Sequence, residues 1–353
     1  AQSGVQALSK AESENPDIVI LDVMMPDMEG YEVCRRLRAN PDTADLPIII
    51  FSAKTQLDDK VAGFQAGADD YLTKPIHPQE LASRVEAVLM RSERQQVEEQ
   101  EEIPIRAKVF GFIGSKGGVG ITTLAVNVGV ALAEGPAKDE QVLLAEMRPG
   151  LAGASFQLGL RRPGSIARLL DQQAGQIDAA LVESQLSEHR SGMRVLSGQP
   201  EPPGIAEPMS LSQAEVILPH LGAMADYVLL DLGVGLEEVN QHLLSQCYHV
   251  VVGIEPQRTS LTMAQPLLEE LTTSLNLARY RISLVLINKA PSAASFTKKT
   301  IEGLLQHDLA GVVTPAPELA FQSNEQGVPM ISSQPNSLVA QQIKKIADYL
   351  ADA

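Results

Sequence analysis

The chain has 353 residues, 44% apolar and 20% charged, an ordinary globular balance and enough length for two domains with separate cores. Its formal net charge of −16 argues against broad binding to nucleic acid or to anionic membranes, since both need a basic face. The two cysteines, Cys34 and Cys247, lack metal-ligand spacing and suit a reducing cytoplasm; no apolar run reaches membrane-spanning length, no signal peptide opens the chain, and tryptophan is absent.

In chain order the first part alternates helix and strand. Residues 3–14 read as a helix and 17–21 as a short apolar strand. A helix over 29–39 carries Val33, Cys34 and Leu37 on one face and stops at Asn40-Pro41-Asp42. A buried strand follows at 46–51, then a helix at 56–66, a short strand at 70–72 and an amphipathic helix at 78–91. Short apolar strands between helices predict a parallel sheet covered on both faces. Residues 92–106 are a polar linker or solvated helical extension, ended by Pro104. A second α/β domain covers 107–353, with strands predicted at 109–113, 141–145, 227–231, 249–254 and 281–288, and a surface loop at 198–204.

Ligands in open α/β sheets sit at the carboxyl ends of the strands. Asp22 and Ser52 occupy two such ends in the first domain, with Lys74-Pro75 just past a third. Singly, each reads as a polar cap. Together, a carboxylate nucleophile, a hydroxyl and a lysine are the groups that accept and hold a phosphoryl group. The run PDIVILDVMMPDMEGYEVCRRLR, with PIIIFSAK and GFQAGADDYLTKPI, resembles the response-regulator receiver family over residues 1–91. That resemblance implies a flavodoxin-like fold, Asp22 as phospho-acceptor and metal ligand, Ser52 as switch hydroxyl, Tyr71 as switch aromatic and Lys74 as phosphate-binding lysine. It also implies a histidine kinase or other phosphodonor as partner. Receivers hold Mg²⁺ with an acidic pair at the end of their first strand, and that strand, with the helix and strand after it, has no counterpart in this sequence. The chain therefore reads as an N-terminally truncated receiver, a piece of a longer protein; were it complete, the domain could not build the usual Mg²⁺ site and Asp22 would not be phosphorylated.

In the second domain a strand at 109–113 runs into a glycine-rich loop and then a long apolar helix over 124–133, the context a phosphate-binding loop requires. Lys116 to Thr123 reads KGGVGITT, followed by Asn127, and resembles the deviant Walker A motif KGGVGKTT of the MinD/ParA family. The family implies a mostly parallel P-loop NTPase sheet with helices on both faces. It implies ATP and Mg²⁺ as ligands and a homodimer in which Lys116 reaches the partner's phosphates. It places Gly117, Gly118, Gly120, residue 121 and Thr123 on the nucleotide, and Thr122 on Mg²⁺. Position 121 should be lysine and is Ile121. One lost charge-assisted contact weakens binding by about 1.5–3 kcal/mol, and a missing transition-state donor slows chemistry on the order of 10²–10³-fold.

A second departure follows the next strand. Where the family has a D-x-D switch segment, this chain has Glu146 and Arg148; Glu146 can keep a carboxylate role, whereas Arg148 cannot act as a base or a magnesium ligand. Asp231 ends an apolar strand and resembles the Walker B aspartate, which implies a hold on Mg²⁺ through water, and Asn288 matches the family's adenine-contacting asparagine. The segments LGLRRPGSIARLL, SGMRVLSGQPEPP, DYVLLDLG and the tail NEQGVPMISSQPNSLVAQQIKKIADYL resemble the CpaE/TadZ pilus-assembly branch, which fuses a receiver to a MinD-like domain. This implies a polar positioning factor for Tad/Flp secretion, with pilus machinery as partner and little ATP hydrolysis. A working ATPase relying on Lys116 is the second reading. A DNA-partition ParA is the third, disfavoured by the negative charge. The last helix mixes Lys344-Lys345 with Asp348 and Asp352 and lacks the character of a membrane-targeting tail.

Overall fold

The computed structural model describes residues 1–14, 16–40, 43–54, 57–99, 105–147, 153–161, 163–198, 208–289 and 296–353. The chain divides into two compact units, Ala1–Glu101 and Glu102–Ala353.

The first unit holds a parallel sheet of β1 (Val19–Leu21), β2 (Ile48–Ser52) and β3 (Asp70–Thr73), in that order. Helices Gly4–Glu14, Gly30–Ala39, Leu57–Gln65 and Pro78–Glu99 alternate with them. The strands are short and apolar, and strand periodicity sends their side chains alternately to two cores. Ile48 and Ile50 join Leu21, Val33, Cys34 and Leu37 on one face, while Ile49 joins Leu72 and Val88 on the other. The fourth helix continues through the polar run to Glu99.

The second unit is built on eight strands: β4 (Lys108–Gly114), β5 (Val142–Glu146), β6 (Ser187–Glu188), β7 (Arg194–Leu196), β8 (Tyr227–Gly233), β9 (His249–Ile254), β10 (Ile282–Ile287) and β11 (Leu309–Val313). Their order is β11-β10-β9-β4-β8-β5-β7-β6, parallel throughout except for the β6–β7 pair. Both faces are covered. Phe110 and Phe112 of β4 belong to the core shared with helices Ile121–Glu134 and Leu338–Asp352. Gly111, pointing the other way, faces Cys247 and Leu244 at the end of helix Glu238–Gln246. This topology puts β4 between β9 and β8, so the loops leaving β4, β8, β9 and β10 converge at one end of the sheet.

Both cysteines are buried and unbonded to each other. Among the described residues no helix is long and apolar enough to cross a membrane.

Candidate functional site

In the first unit, Asp22 leaves the end of β1 and meets Lys74, which follows β3, with 2.6 Å between Nζ and Oδ2. The Met24 amide donates to the other carboxylate oxygen at 3.1 Å. Burial raises the Asp22 carboxyl, but the hydrogen bonds from Lys74 and Met24 outweigh it and hold the group below the usual carboxylate range. The chain can pass this close only because residue 30 is glycine, since a Cβ there would lie 2.3 Å from the Asp22 carbonyl oxygen. Ser52 ends β2 fully buried, its Oγ accepting from the Lys54 amide at 3.3 Å. Tyr71 is also turned inward, 6% exposed, and its hydroxyl donates to the Lys54 carbonyl at 3.2 Å. Asp22 belongs to no group of three or more His, Cys, Asp or Glu side chains suited to a metal ion among the described residues.

The second site is assembled from four strand ends. The loop after β4 holds Gly118 and Gly120 at positive φ, +71° and +97°, the left-handed backbone that glycine tolerates. A Cβ on Gly117 or Gly118 would meet nothing within 4 Å, so the loop borders open space. The helix Ile121–Glu134 starts directly after it, with Gly120 as its N-cap and no side-chain cap hydrogen bond, and a helix start of this kind favours an anion. Thr122 Oγ1 donates to Asp231 Oδ2 at 2.5 Å, which pairs the hydroxyl expected on Mg²⁺ with the carboxylate from β8. Thr123 and Gly120 line a cavity of about 270 Å³ together with Asn288, Lys289, Thr314 and Pro317. Asn288 is held at its edge by a backbone hydrogen bond to the Val313 carbonyl of β11.

Ile121 does not face this cavity. It is 5% exposed and packs beneath the loop in the core with Val119 and Ile287, its Cδ1 against Gly253 of β9. An apolar side chain at the first helical position gains by leaving water, so it turns under the loop and contributes to the site through its backbone alone. Asn127 has a packing role: its side chain donates to the Thr123 carbonyl and accepts from the Ile331 amide, tying the loop helix to segment Met330–Ser333.

The carboxylate expected to persist in the switch segment is spent elsewhere. Glu146, fully buried at the end of β5, accepts from the Gly153 and Ala154 amides at 2.8 and 3.0 Å and from the Gly198 amide at 3.0 Å. Burial raises its carboxyl, and Asp231 nearby adds to the effect against those three amides. Arg148, Pro104 and most of the predicted surface loop at 198–204 lie outside the described residues.

Two charged residues that sequence reasoning passed over join the site. Glu255, just after β9 and 3% exposed, binds Lys116 Nζ at 2.6 Å through Oε2 and Lys289 Nζ at 2.5 Å through Oε1. Lys289 also donates to the Gly118 carbonyl. Glu255 is fixed by its amide, which donates to Ser260 Oγ; Ser260 in turn meets Ser115 Oγ of the loop at 2.8 Å. Burial raises the Glu255 carboxyl, but the two lysines outweigh it and hold the group low. The only hint in sequence was position: each follows a predicted apolar strand.

The donor set suits a nucleoside polyphosphate with a divalent cation: backbone amides at a helix start, a hydroxyl–carboxylate pair, two ammonium groups and an apolar cavity beside them.

Comparison with known proteins agrees with both halves. Residues 1–86 match the response regulator receiver domain family. The alkaline phosphatase synthesis transcriptional regulatory protein PhoP of Bacillus subtilis (strain 168) is 50% identical over 93 residues, 26% of this chain and 38% of that protein. The chain thus spans well under half of this curated relative. The ParA family ATPase from Chlorobium tepidum TLS superposes with a TM-score of 0.60 at 20% identity, covering 69% of this chain and 99% of the other. The septum site-determining protein MinD complexed with Mg-ADP from Pyrococcus horikoshii OT3 gives 0.57 at 19% identity, covering 69% and 96%. The chain joins a response-regulator receiver domain to a domain of MinD/ParA-like α/β P-loop fold, two-domain α/β architecture throughout.

Proposed function

We propose that this is a regulatory protein in which a phospho-receiver is joined to an ATP-binding domain that hydrolyses ATP weakly or not at all. The observation that carries the reading is the burial of Ile121 under a loop that otherwise keeps its glycine nest, its Thr122–Asp231 pair and its adjoining cavity. Phosphoryl transfer depends on positioning and charge neutralisation, so losing one cation while keeping the cradle weakens chemistry more than binding. In this reading the amides of the glycine loop and Thr123 take the phosphates, Thr122 and Asp231 hold Mg²⁺, and Asn288 reads the base within the cavity. Magnesium, when bound, would neutralise charge on the phosphates.

In the receiver, Asp22 is the phosphoryl acceptor, Lys74 its counter-charge, and Ser52 and Tyr71 the switch residues; a histidine kinase or other phosphodonor is the partner. The two nucleotide half-sites are expected to meet in a homodimer. The segments that resemble CpaE/TadZ proteins support a polar positioning role in Tad/Flp-type pilus assembly, with pilus machinery as partner. The alternative, an active ATPase, draws support from Lys116, which stands at the loop in ion-pair contact with Glu255.

Steady-state ATP turnover separates the two. Low wild-type turnover that rises in Ile121→Lys supports the binding protein; robust wild-type turnover abolished by Lys116→Ala supports the enzyme.

A further inference from the structure

The phosphate loop lost a cation at position 121, yet two ammonium groups stand beside it. Lys116 belongs to the loop. Lys289 comes from the end of β10, beside Asn288, on the rim of the cavity. Both bind one carboxylate, Glu255, and Lys289 also reaches the loop at Gly118. Glu255 is the fixed member: its side chain is buried and its backbone amide is tied to Ser260, which meets Ser115 of the loop, whereas the Lys289 side chain is 48% exposed. Two ammonium groups against one carboxylate leave a net positive charge at the lip of the loop. An incoming polyphosphate offers these lysines more negative charge than Glu255 does, and a long lysine stem can swing over it without moving the backbone.

We infer that Lys289 is a phosphate-binding residue of this site, taking the place of the cation missing at position 121, and that Glu255 stores it and Lys116 until a nucleoside polyphosphate draws them across. The inference rests on the nucleotide-binding reading above. It differs from a role in which Lys289 merely braces Gly118, because losing a brace leaves the salt dependence of ATP binding unchanged, whereas losing a charged phosphate contact reduces it in Lys289→Met.

The test uses the full chain and measures equilibrium affinities for ATP·Mg²⁺, at low and high salt, and for AMP, with circular dichroism confirming that each variant is folded. Lys289→Met removes the charge at similar length. It is expected to weaken ATP by about 10- to 100-fold, the worth of one charge-assisted contact, while AMP changes much less. Lys289→Arg should keep ATP binding within a few-fold of wild type, and Glu255→Gln should tighten it by releasing both lysines. Unchanged ATP affinity in Lys289→Met, equal losses for ATP and AMP, or an unchanged salt dependence of ATP binding overturns the inference while leaving the nucleotide-binding reading intact. A wild-type chain that binds no ATP removes both.

Discussion

Ile121, at the position where a cation was expected, serves packing instead. Its side chain fills space between the loop and β9, against Gly253 and near Ile287. Ile121→Lys must therefore either bury an ammonium group or turn its stem out toward the cavity. Both outcomes remove apolar packing, and the cost is expected to be about 1–3 kcal/mol in the absence of nucleotide, visible as a lower midpoint in urea unfolding. Added ATP should recover part of that loss, because a ligand that binds only the folded state stabilises it. Glu146 is the second residue whose role follows from its partners. Glu146→Ala leaves the buried Ala154 and Gly198 amides and the half-buried Gly153 amide without their acceptor, and each buried unsatisfied group costs about 1–3 kcal/mol. A loss of about 2 kcal/mol or more in urea unfolding is expected, with unchanged stability contradicting the pinning role.

The lowered carboxyls of the two sites fix the sign of their own contributions to the acid response. Asp22 and Glu255 both have folded values below their ordinary ones, so the stabilisation they bring is complete above the ordinary carboxylate range. It is lost as pH falls through the lowered values. Glu255→Gln should therefore flatten part of the fall in melting temperature below about pH 4.3, the unperturbed glutamate value. A variant whose acid profile matches wild type would argue that the Glu255 ion pairs are absent in solution.

At the scale of elements, most of the framework was legible because the strands are apolar runs of strand length closed by turn residues. The predicted strand at 227–231 is β8, and that at 249–254 is β9. Three strands were missed. β6 and β7 span two and three residues, too short for any periodicity, and exist through pairing with each other and with β5. β11 contains Gly311, lies at the sheet edge and is only half-buried over most of its length, so it carries no core pattern. Its loss to sequence reading mattered, because the segment after it lines the cavity. The loop and Thr122 were legible as one local motif. Glu255 and Lys289 were not, since they reach the site only through the parallel order of β4, β9 and β10. At Gly30, where the helix after β1 passes the Asp22 carbonyl, even alanine has no room. Gly30→Ala is expected to destabilise the first unit by about 1–3 kcal/mol, seen as faster amide exchange in β1 and β2 with β4 and β8 unaffected. Equal protection in both proteins would contradict that close approach.

For the molecule as a whole, the two units place different chemical groups at their strand ends. One presents an ion-paired carboxylate at strand ends, the other a glycine cradle with its cations held on a buried acid. The proposed role requires the second unit to bind ATP while hydrolysing it little. The direct test is to measure Mg²⁺-dependent ATP binding and steady-state turnover on the same purified chain. Saturable binding with turnover that is slow, and faster in Ile121→Lys, is the predicted result. No binding, or rapid wild-type turnover that Lys116→Ala abolishes, would contradict it.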